Sequence, residues 1–263
     1  MNKLQEIHEK TLERINQRKT ELPQKSLIGQ LQDIDDMRRA KNFEAALQKN
    51  DVSFICEIKK ASPSKGVIAQ EFDCLSIAED YENAGAAAIS VLTEPFYFLG
   101  KDEYLREIAE KVKIPLLRKD FFVDEYMIYE AKILGASAIL LICAMLDKSQ
   151  IKDFLAVANE IGLAALVETH DENEIETALE AGAKIIGVNN RNLKTFETDI
   201  SLTQRLRPLV PKDKIFVSES GIKTPNDIRI LKEIGANAAL IGETFMRSSD
   251  KISALKSLRG ENP

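Results

Sequence analysis

The sequence predicts an α/β fold, a (β/α)8 TIM barrel that follows an N-terminal helical extension. After residue 53, eight short apolar runs alternate with amphipathic stretches, which indicates right-handed βαβ units and a parallel sheet. A Gly-Ala pair recurs at near-regular spacing, beginning at residues 85, 135, 182 and 235, each time between a predicted helix and the next strand. A length of 263 residues suits one barrel domain over residues 1–263.

The alternative to a closed barrel is a doubly wound open sheet. That fold carries a glycine-rich phosphate turn after an early strand. The sequence contains no such turn, so the closed barrel is favoured.

Residues 1–48 are predicted to form a charged helical extension that covers the barrel. Leu4, Ile7, Leu12 and Ile15 recur at helical spacing, and Pro23 then interrupts the pattern. Further helical pieces are predicted over 26–39 and 42–47. These helices either only pack against the barrel or also cover its active site.

The predicted strands and helices alternate along the rest of the chain. The strands are expected at 54–58, 87–92, 114–117, 138–142, 163–167, 185–188, 215–217 and 238–241. The helices are expected at 74–83, 103–111, 125–134, 148–160, 172–180, 200–206, 225–233 and 251–258. Several helices begin after a residue suited to an N-cap, namely Asp124, Asp147, Asp171 and Thr224.

Composition excludes several classes of function. The formal net charge of −6 leaves no basic excess for nucleic acid, and no apolar run is long enough to span a membrane. Three scattered cysteines and two histidines form no metal-ligand pattern, so no metal site is expected. The start of the chain lacks the apolar core of a signal peptide. We expect a cytoplasmic monomer with a small-molecule substrate and no nucleic-acid or membrane partner.

Charged residues recur at the carboxyl ends of the odd-numbered strands, where active sites of this fold lie. Glu57, Lys119, Glu168 and Glu219 each share a strand face with an apolar residue that points into the barrel. They are expected to converge at one level, with Lys59 one layer above. Carboxylates and ammonium groups in one cavity shift each other's pKa, so this cluster suits acid–base catalysis.

The loops after the last two strands have features of a phosphate site. In this fold they grip phosphate, often with a short extra helix. Here they contain Ser220, Gly221, Gly242 and Glu243, and the glycines allow close approach of the backbone to an anion. The second loop is expected to begin a short helix.

Aromatic residues follow the second and third strands. Phe96, Tyr97 and Phe98 follow one and Phe121 and Phe122 the other, so they either hold an aromatic substrate ring or only fix the loops to the barrel rim. No Ser-His-Asp arrangement is readable. His170 is therefore expected to be a loop histidine without a catalytic role.

Six segments resemble the indole-3-glycerol-phosphate synthase family of tryptophan biosynthesis. They occur in order along the whole chain and are jointly very specific: 56–66 CEIKKASPSKG, 90–94 SVLTE, 117–121 LRKDF, 166–170 LVETH, 187–193 GVNNRNL and 217–222 VSESGI. The monofunctional form is expected, since the chain ends soon after the eighth strand and lacks the second barrel fused on in some relatives.

The resemblance implies ring closure of 1-(2-carboxyphenylamino)-1-deoxyribulose 5-phosphate to indole-3-glycerol phosphate, with loss of CO₂ and water and without a cofactor. Lys119 is then the candidate general acid. Glu168 and Lys59 are candidates for the dehydration, with their division of roles left open. Glu57 and Glu219 are expected to position the lysines or the substrate.

The same resemblance implies a set of binding residues. Asn189 and Arg191 are expected to hold a hydroxyl and an anionic group. Four residues are expected to hold the phosphate, and four others to contact the rest of the substrate: Ser220, Gly221, Gly242 and Glu243, and Pro63, Ser64, Phe96 and Phe121.

Two other functions remain open from the residues alone. In a class I aldolase-type barrel, Lys119 or Lys59 would form a Schiff base with a sugar phosphate. The other alternative is a barrel that only binds a phosphorylated ligand.

Overall fold

A computed structural model describes residues 3–32, 42–63, 65–69, 72–192, 195–248 and 250–261. Its centre is a closed barrel of eight parallel strands, which confirms the predicted (β/α)8 architecture. The strands are β1 Ser53–Ile58, β2 Ala88–Leu92, β3 Leu116–Lys119, β4 Ala138–Ile142, β5 Ala164–Thr169, β6 Ile185–Asn189, β7 Ile215–Glu219 and β8 Ala238–Ile241.

Within the described residues, three helices precede the barrel and nine more follow the first strand. The first three are α1 Lys3–Glu21, α2 Gln24–Gln32 and α3 Phe43–Leu47. The others are α4 Cys74–Asn83, α5 Asp102–Lys111, α6 Tyr126–Ile133, α7 Lys148–Glu160, α8 Glu172–Ala181, α9 Ser201–Leu206, α10 Pro225–Glu233, α11 Glu243–Met246 and α12 Lys251–Leu258. A 3-10 turn, Arg207–Leu209, follows α9, and a small antiparallel hairpin, Ala61–Ser62 with Gly66–Val67, follows β1.

The strands pair in chain order and the first pairs with the last. In β1, Ile55 lies opposite Ala88 of β2 on one side and Leu240 of β8 on the other. Every strand therefore has two neighbours, and the barrel has no free edge.

The predicted bounds of β3 were wrong by about two residues. The strand was expected over 114–117 but runs from Leu116 to Lys119, because Pro115 has no N–H with which to begin the ladder. The shift places Lys119 inside the strand, at its carboxyl end.

Asp147, Asp171 and Thr224 cap their helices as predicted, but Asp124 does not. Each of the first three side chains accepts a backbone N–H of the third helical residue. The residue that precedes α6 is Glu125. Asp124, one position earlier, accepts a hydrogen bond from the N–H of Tyr126 and forms an ion pair with Lys19.

Alternate residues along the strands bury two separate apolar layers. Ile55, Leu117, Leu166 and Val217 lie in the barrel interior, and they are the residues expected to share a face with the charged strand ends. The intervening residues pack against the surrounding helices. Side chains that continue the inner face therefore emerge together at the carboxyl end of the barrel.

Helix α3 closes the opposite, amino-terminal end. Phe43 and Leu47 are fully buried in the same interior cluster as Ala88 and Ala238, which begin their strands. The hydroxyl of Ser53, the first residue of β1, donates to the carbonyl of Ala46. This part of the extension is the floor of the barrel.

Helix α1 is fixed to the barrel near the end of β3 by ion pairs. Arg14 donates to Asp120 at 2.9 Å, and Arg18 pairs with Asp102 at 2.7 Å and with Glu130 at 2.6 Å. The described part of the chain holds no helix with both the length and the apolar character needed to cross a membrane.

Candidate active site

A cavity of about 490 Å³ opens at the carboxyl end of the barrel, where this fold places its active sites. The inner-face charges form its floor and the loops after the strands form its walls. The first turns of helix α1 also line the cavity. The N-terminal extension therefore contacts the barrel at its carboxyl end as well as at its amino-terminal end. Among the residues that line the cavity are Lys3, Ile7, Glu57, Lys59, Lys119, Glu168, Asn189, Arg191, Gly221 and Gly242.

Lys119 lies at the centre of three carboxylates. Its Nζ donates to Glu219 Oε2 at 2.9 Å and lies 3.7 Å from Glu168 Oε2 and 4.0 Å from Glu57 Oε2. The structure thus brings together the four side chains expected to converge from odd strands. Burial disfavours the ammonium, but the charges of Glu219, Glu168 and Glu57 outweigh it and raise the pKa of Lys119.

A second lysine pairs with the carboxylate of β1. Lys59, just past the end of β1, contacts Glu57 through Oε1, so Glu57 bridges both lysines. Burial works against ionisation of Glu57, yet Lys59 and Lys119 together hold its pKa below the ordinary value. A Cβ at Gly242 would overlap this carboxylate, so Gly242 also provides room for Glu57.

Glu219 is the most deeply buried carboxyl of the cluster, and its Oε1 has no hydrogen-bond partner in the described structure. Burial raises the pKa of Glu219 to about 7, against the pull of Lys119 and with a contribution from Glu168. Glycine at position 187 makes this possible, because a Cβ there would overlap the Glu219 carboxylate. Gly187 begins one of the six family-like segments, but its role beside Glu219 could not be predicted, because that role depends on the barrel register.

His170 was expected to be a loop histidine without a role, but it lies between two carboxylates. Its Nδ1 is 3.1 Å from Glu174 Oε2, and its Nε2 is 3.4 Å from Glu168 Oε1. Burial works against the imidazolium, but the hydrogen bond to Glu174 and the charges of Glu168 and Glu219 raise the pKa of His170. The sequence signal was a histidine two residues after a strand-end glutamate.

The end of β6 supplies Asn189 and Arg191. The amide oxygen of Asn189 accepts the N–H of Arg191, and the guanidinium donates to the carbonyl of Phe196 and approaches Glu243 to 3.9 Å. Both residues line the cavity. Arg191 is therefore held at the cavity wall by a backbone contact, with a second contact to α11.

Between them in the chain, Asn190 fastens the loop after β7. Its amide donates to Ser218 Oγ and to the carbonyl of Ser220, both at 3.0 Å, and its oxygen accepts from Thr203. The next loop therefore has a fixed shape. Ser220 and Gly221 there have φ of +65° and +79°, a left-handed conformation that is costly for serine.

The predicted short helix after β8 is present as α11, and Gly242 directly precedes it. The loops after β7 and β8 meet where the Thr244 hydroxyl donates to the carbonyl of Ile222. Ser220, Gly221, Gly242 and Glu243 all line the cavity. The first N–H groups of a helix lack intrahelical partners, so they remain open to an acceptor.

The aromatic residues are divided differently from the prediction. Phe98 and Phe121 line the cavity, with ring centroids 6.1 Å apart, whereas Phe96 is half exposed and does not line it. The buried Glu94 explains this, because its carboxylate accepts the N–H groups of residues 96–98 and folds the loop so that Phe98 turns inward. Pro63 lines the cavity, and Ser64 lies outside the described residues.

This arrangement provides acids and bases of different strength within one cavity. Lys59, Lys119, Glu57 and Glu168 line the cavity beside aromatic and apolar walls. Glu219 is buried and reaches the cavity only through its ion pair with Lys119. No cluster with metal-binding composition occurs in the described residues. The chemistry that these groups can supply is proton transfer and electrostatic stabilisation.

The sequence is similar to a family of known activity. Residues 4–258 match the family model for "Indole-3-glycerol phosphate synthase". A protein of that name from Ruminiclostridium cellulolyticum is 59% identical, over 83% of this chain and 84% of its own. Another from Lachnoclostridium phytofermentans is 50% identical, over 97% of this chain and 98% of its own.

Solved structures share the fold at low sequence identity. A 3-hexulose-6-phosphate synthase from Salmonella typhimurium superposes with a TM-score of 0.66, at 12% identity, over 80% of this chain and 97% of its own. At that identity the likeness shows the barrel and nothing about the substrate.

Proposed function

The chain belongs to the indole-3-glycerol phosphate synthase family, and from that premise we propose how its barrel closes an indole ring. The protein is a carboxy-lyase of tryptophan biosynthesis that acts on a phosphorylated small molecule. It converts 1-(2-carboxyphenylamino)-1-deoxyribulose 5-phosphate to indole-3-glycerol phosphate, CO₂ and water. The observation that carries the proposed residue roles is the position of Lys119 among three carboxylates at the floor of the cavity.

We assign the first proton transfer to Lys119. When the aromatic carbon attacks the substrate ketone, the ketone oxygen develops negative charge. An alkoxide is a stronger base than an amine, so proton transfer from the Lys119 ammonium is downhill. The raised pKa of Lys119 supports this role, because the ammonium keeps its proton until that charge develops. The substrate carboxylate then leaves as CO₂ and the ring regains its aromaticity.

The dehydration step needs an acid for the leaving hydroxyl and a base for the proton that is lost from carbon. Glu168 and Lys59 are the proposed pair, and both line the cavity beside Lys119. Glu57 is proposed to orient the two lysines that it contacts, and Glu219 to orient Lys119. Asn189 is proposed to hold a substrate hydroxyl during these steps.

The proposed substrate orientation uses opposite walls of the cavity. The phosphate lies between the loops after β7 and β8, against Ser220, Gly221 and the start of α11. Arg191 pairs with an anionic group of the substrate. The aromatic ring lies on the other side, near Phe98, Phe121 and Pro63, which form the apolar wall.

Indole emission gives a direct assay of this function. The chain contains no tryptophan, so an indole product appears against a low protein background. Incubation with the carboxyphenylamino-deoxyribulose phosphate substrate is expected to produce growing indole emission and one CO₂ for each product. Folded protein that yields neither would contradict the function.

Schiff-base catalysis on a sugar phosphate is the second candidate function. A Schiff base requires a neutral amine, and the carboxylates around Lys119 favour its ammonium form. Borohydride added during turnover is expected to leave the mass of the protein unchanged. A stable adduct on Lys119 or Lys59 would favour the aldolase-type reaction.

Location and assembly follow as further proposals. We propose a cytoplasmic enzyme, supported by three cysteines that are all free. A monomer is proposed because one chain supplies every group used in the steps above. Light scattering of the purified protein measures the mass in solution directly.

A further inference from the structure

His170 and Glu174 take no part in the reaction steps above, although both lie close to the catalytic carboxylates. His170 follows β5 by one residue, and Glu174 lies in the first turn of α8. One carboxylate oxygen of Glu174 accepts the backbone N–H of His170 at 2.7 Å and contacts Nδ1 at 3.1 Å. Glu174 therefore fixes both the backbone and the ring of His170.

The second ring nitrogen faces Glu168, which lines the catalytic cavity. His170 Nε2 is buried, has no hydrogen-bond partner in the described residues and lies 3.4 Å from Glu168 Oε1. A neutral ring that donates Nδ1–H to Glu174 would present a lone pair to Glu168, which is repulsive. A protonated ring donates to both carboxylates, so this geometry suits the imidazolium.

The charges around the ring favour the same state. Burial lowers the pKa of His170. The hydrogen bond to Glu174 and the charges of the nearby carboxylates outweigh burial and raise the pKa above 6.5. The ionisable groups that face the ring come from three strands and one helix: Glu168 of β5, Glu174 of α8, Glu219 of β7 and, beyond Glu168, Lys119 of β3. Cys143, after β4, donates to the Glu174 carbonyl and stays a neutral thiol, since burial raises its pKa to about 12.

We propose that His170, held by Glu174, is a positioning residue that donates Nε2–H to Glu168 and aims this carboxylate at the substrate as the base of the dehydration. The proposal rests on the proposed function, and it assigns the base role that was left open between Glu168 and Lys59. In structures without substrate, catalytic hydrogen bonds are often long and shorten when substrate binds, as the 3.4 Å contact would.

The first test measures the ring without reference to activity. The chain has two histidines, so the NMR signals of His170 are assigned by comparison with a His8→Asn variant. In the wild type, His170 is expected to titrate above pH 6.5. Glu168→Gln and Glu174→Gln are each expected to lower that pKa, because each removes a carboxylate charge beside the ring. An unchanged titration in Glu168→Gln would overturn the proposal, whether or not the protein has the proposed activity.

The second test follows kcat against pH. The wild type is expected to lose activity as the pH rises through the His170 pKa measured by NMR. Glu174→Gln should move this limb to lower pH and keep the hydrogen bond from the backbone N–H of His170, since the glutamine oxygen also accepts. Glu176 is exposed on the same helix, so Glu176→Gln removes a charge of the same sign and should leave the pH profile of kcat unchanged.

The His170→Asn variant separates positioning from structure. Loss of one charge-assisted hydrogen bond is expected to lower kcat by roughly 10- to 100-fold with little change in KM. The limb assigned to His170 should disappear from the pH profile of this variant. A profile of unchanged shape, only scaled down, would mean a structural role and overturn the proposal.

Discussion

Lys119 and Arg118 are neighbours in the chain, but they point to opposite sides of strand β3 and have different roles. Lys119 points into the barrel and reaches the cavity, whereas Arg118 points outward and is fully buried under helices. The period of two along a strand predicts that they face opposite sides. The partners of Arg118 could not be predicted, because Asp102 and Glu130 lie on helices whose docking the sequence does not specify.

Glu219 gives a prediction about pH and stability. Its folded pKa of about 7 is above its unfolded value, so the stability that it contributes is fully present below pH 4.5 and is lost as the pH rises through 7. Glu219→Gln removes this contribution. The unfolding free energy of the wild type relative to the variant is expected to fall between pH 5 and pH 7, by up to about 1.4 kcal/mol per pH unit.

Denaturant unfolding of both proteins at several pH values checks this prediction. Comparison with the variant cancels the carboxylates that the two proteins share. The exposed Glu176→Gln serves as the control and should show no such slope. A difference between wild type and Glu219→Gln that stays constant from pH 5 to pH 8 would contradict the assigned pKa.

Among the elements, most strands and helices were predicted from the sequence, and the errors have local causes. Helix α7 matches its predicted bounds because a capping box at Asp147 and Gln150 marks its start. Strand β3 was displaced because Pro115 interrupts its apolar run. The inward Phe98 was not separated from the outward Phe96, because the loop shape depends on the buried Glu94 carboxylate.

Helix α1 is attached to the barrel by an ionic network that gives a second prediction. Arg118 Nη2 lies 2.9 Å from Asp102 and 2.7 Å from Glu130, and Asp120 is 3.7 Å away. Arg118→Met leaves these buried carboxylates short of a cation. We expect the unfolding free energy to fall by about 3–5 kcal/mol, as measured by chemical denaturation.

The matched control for that substitution is Arg205→Met. Arg205 pairs with Glu172 at 3.4 Å, but both side chains are more than half exposed. An exposed pair of this kind contributes about 0–1 kcal/mol. Equal losses in the two variants would contradict the proposed importance of the buried network.

In the whole molecule, the apolar packing that closes the barrel and the catalytic cavity lie at opposite ends. Phe43 of α3 fills the amino-terminal end, and the cavity opens at the carboxyl end. The N-terminal extension contacts both ends, since α3 forms the floor and α1 borders the cavity. This supports the proposal that residues 1–263 form a single domain.

Charges at strand ends could be predicted to converge, but the closing of the floor by α3 could not, because five residues carry little periodicity.

Phe43→Ala tests that division. The side chain is fully buried, so truncation is expected to lower the unfolding free energy by about 3–5 kcal/mol. The variant protein that remains folded should keep kcat within about twofold, because Phe43 lies at the end opposite Lys119. Loss of turnover per folded molecule, measured after correction for the folded fraction, would show that the two ends are coupled.

We claim that Lys119 supplies the proton for ring closure, and substitution of this lysine tests the claim. Lys119→Ala should remain folded by circular dichroism and lose about 10²–10⁴-fold in turnover, measured as growth of indole emission. Lys101→Ala, at an exposed lysine of the same protein, is the control and should match the wild type. Turnover of folded Lys119→Ala at the wild-type rate would contradict the claim.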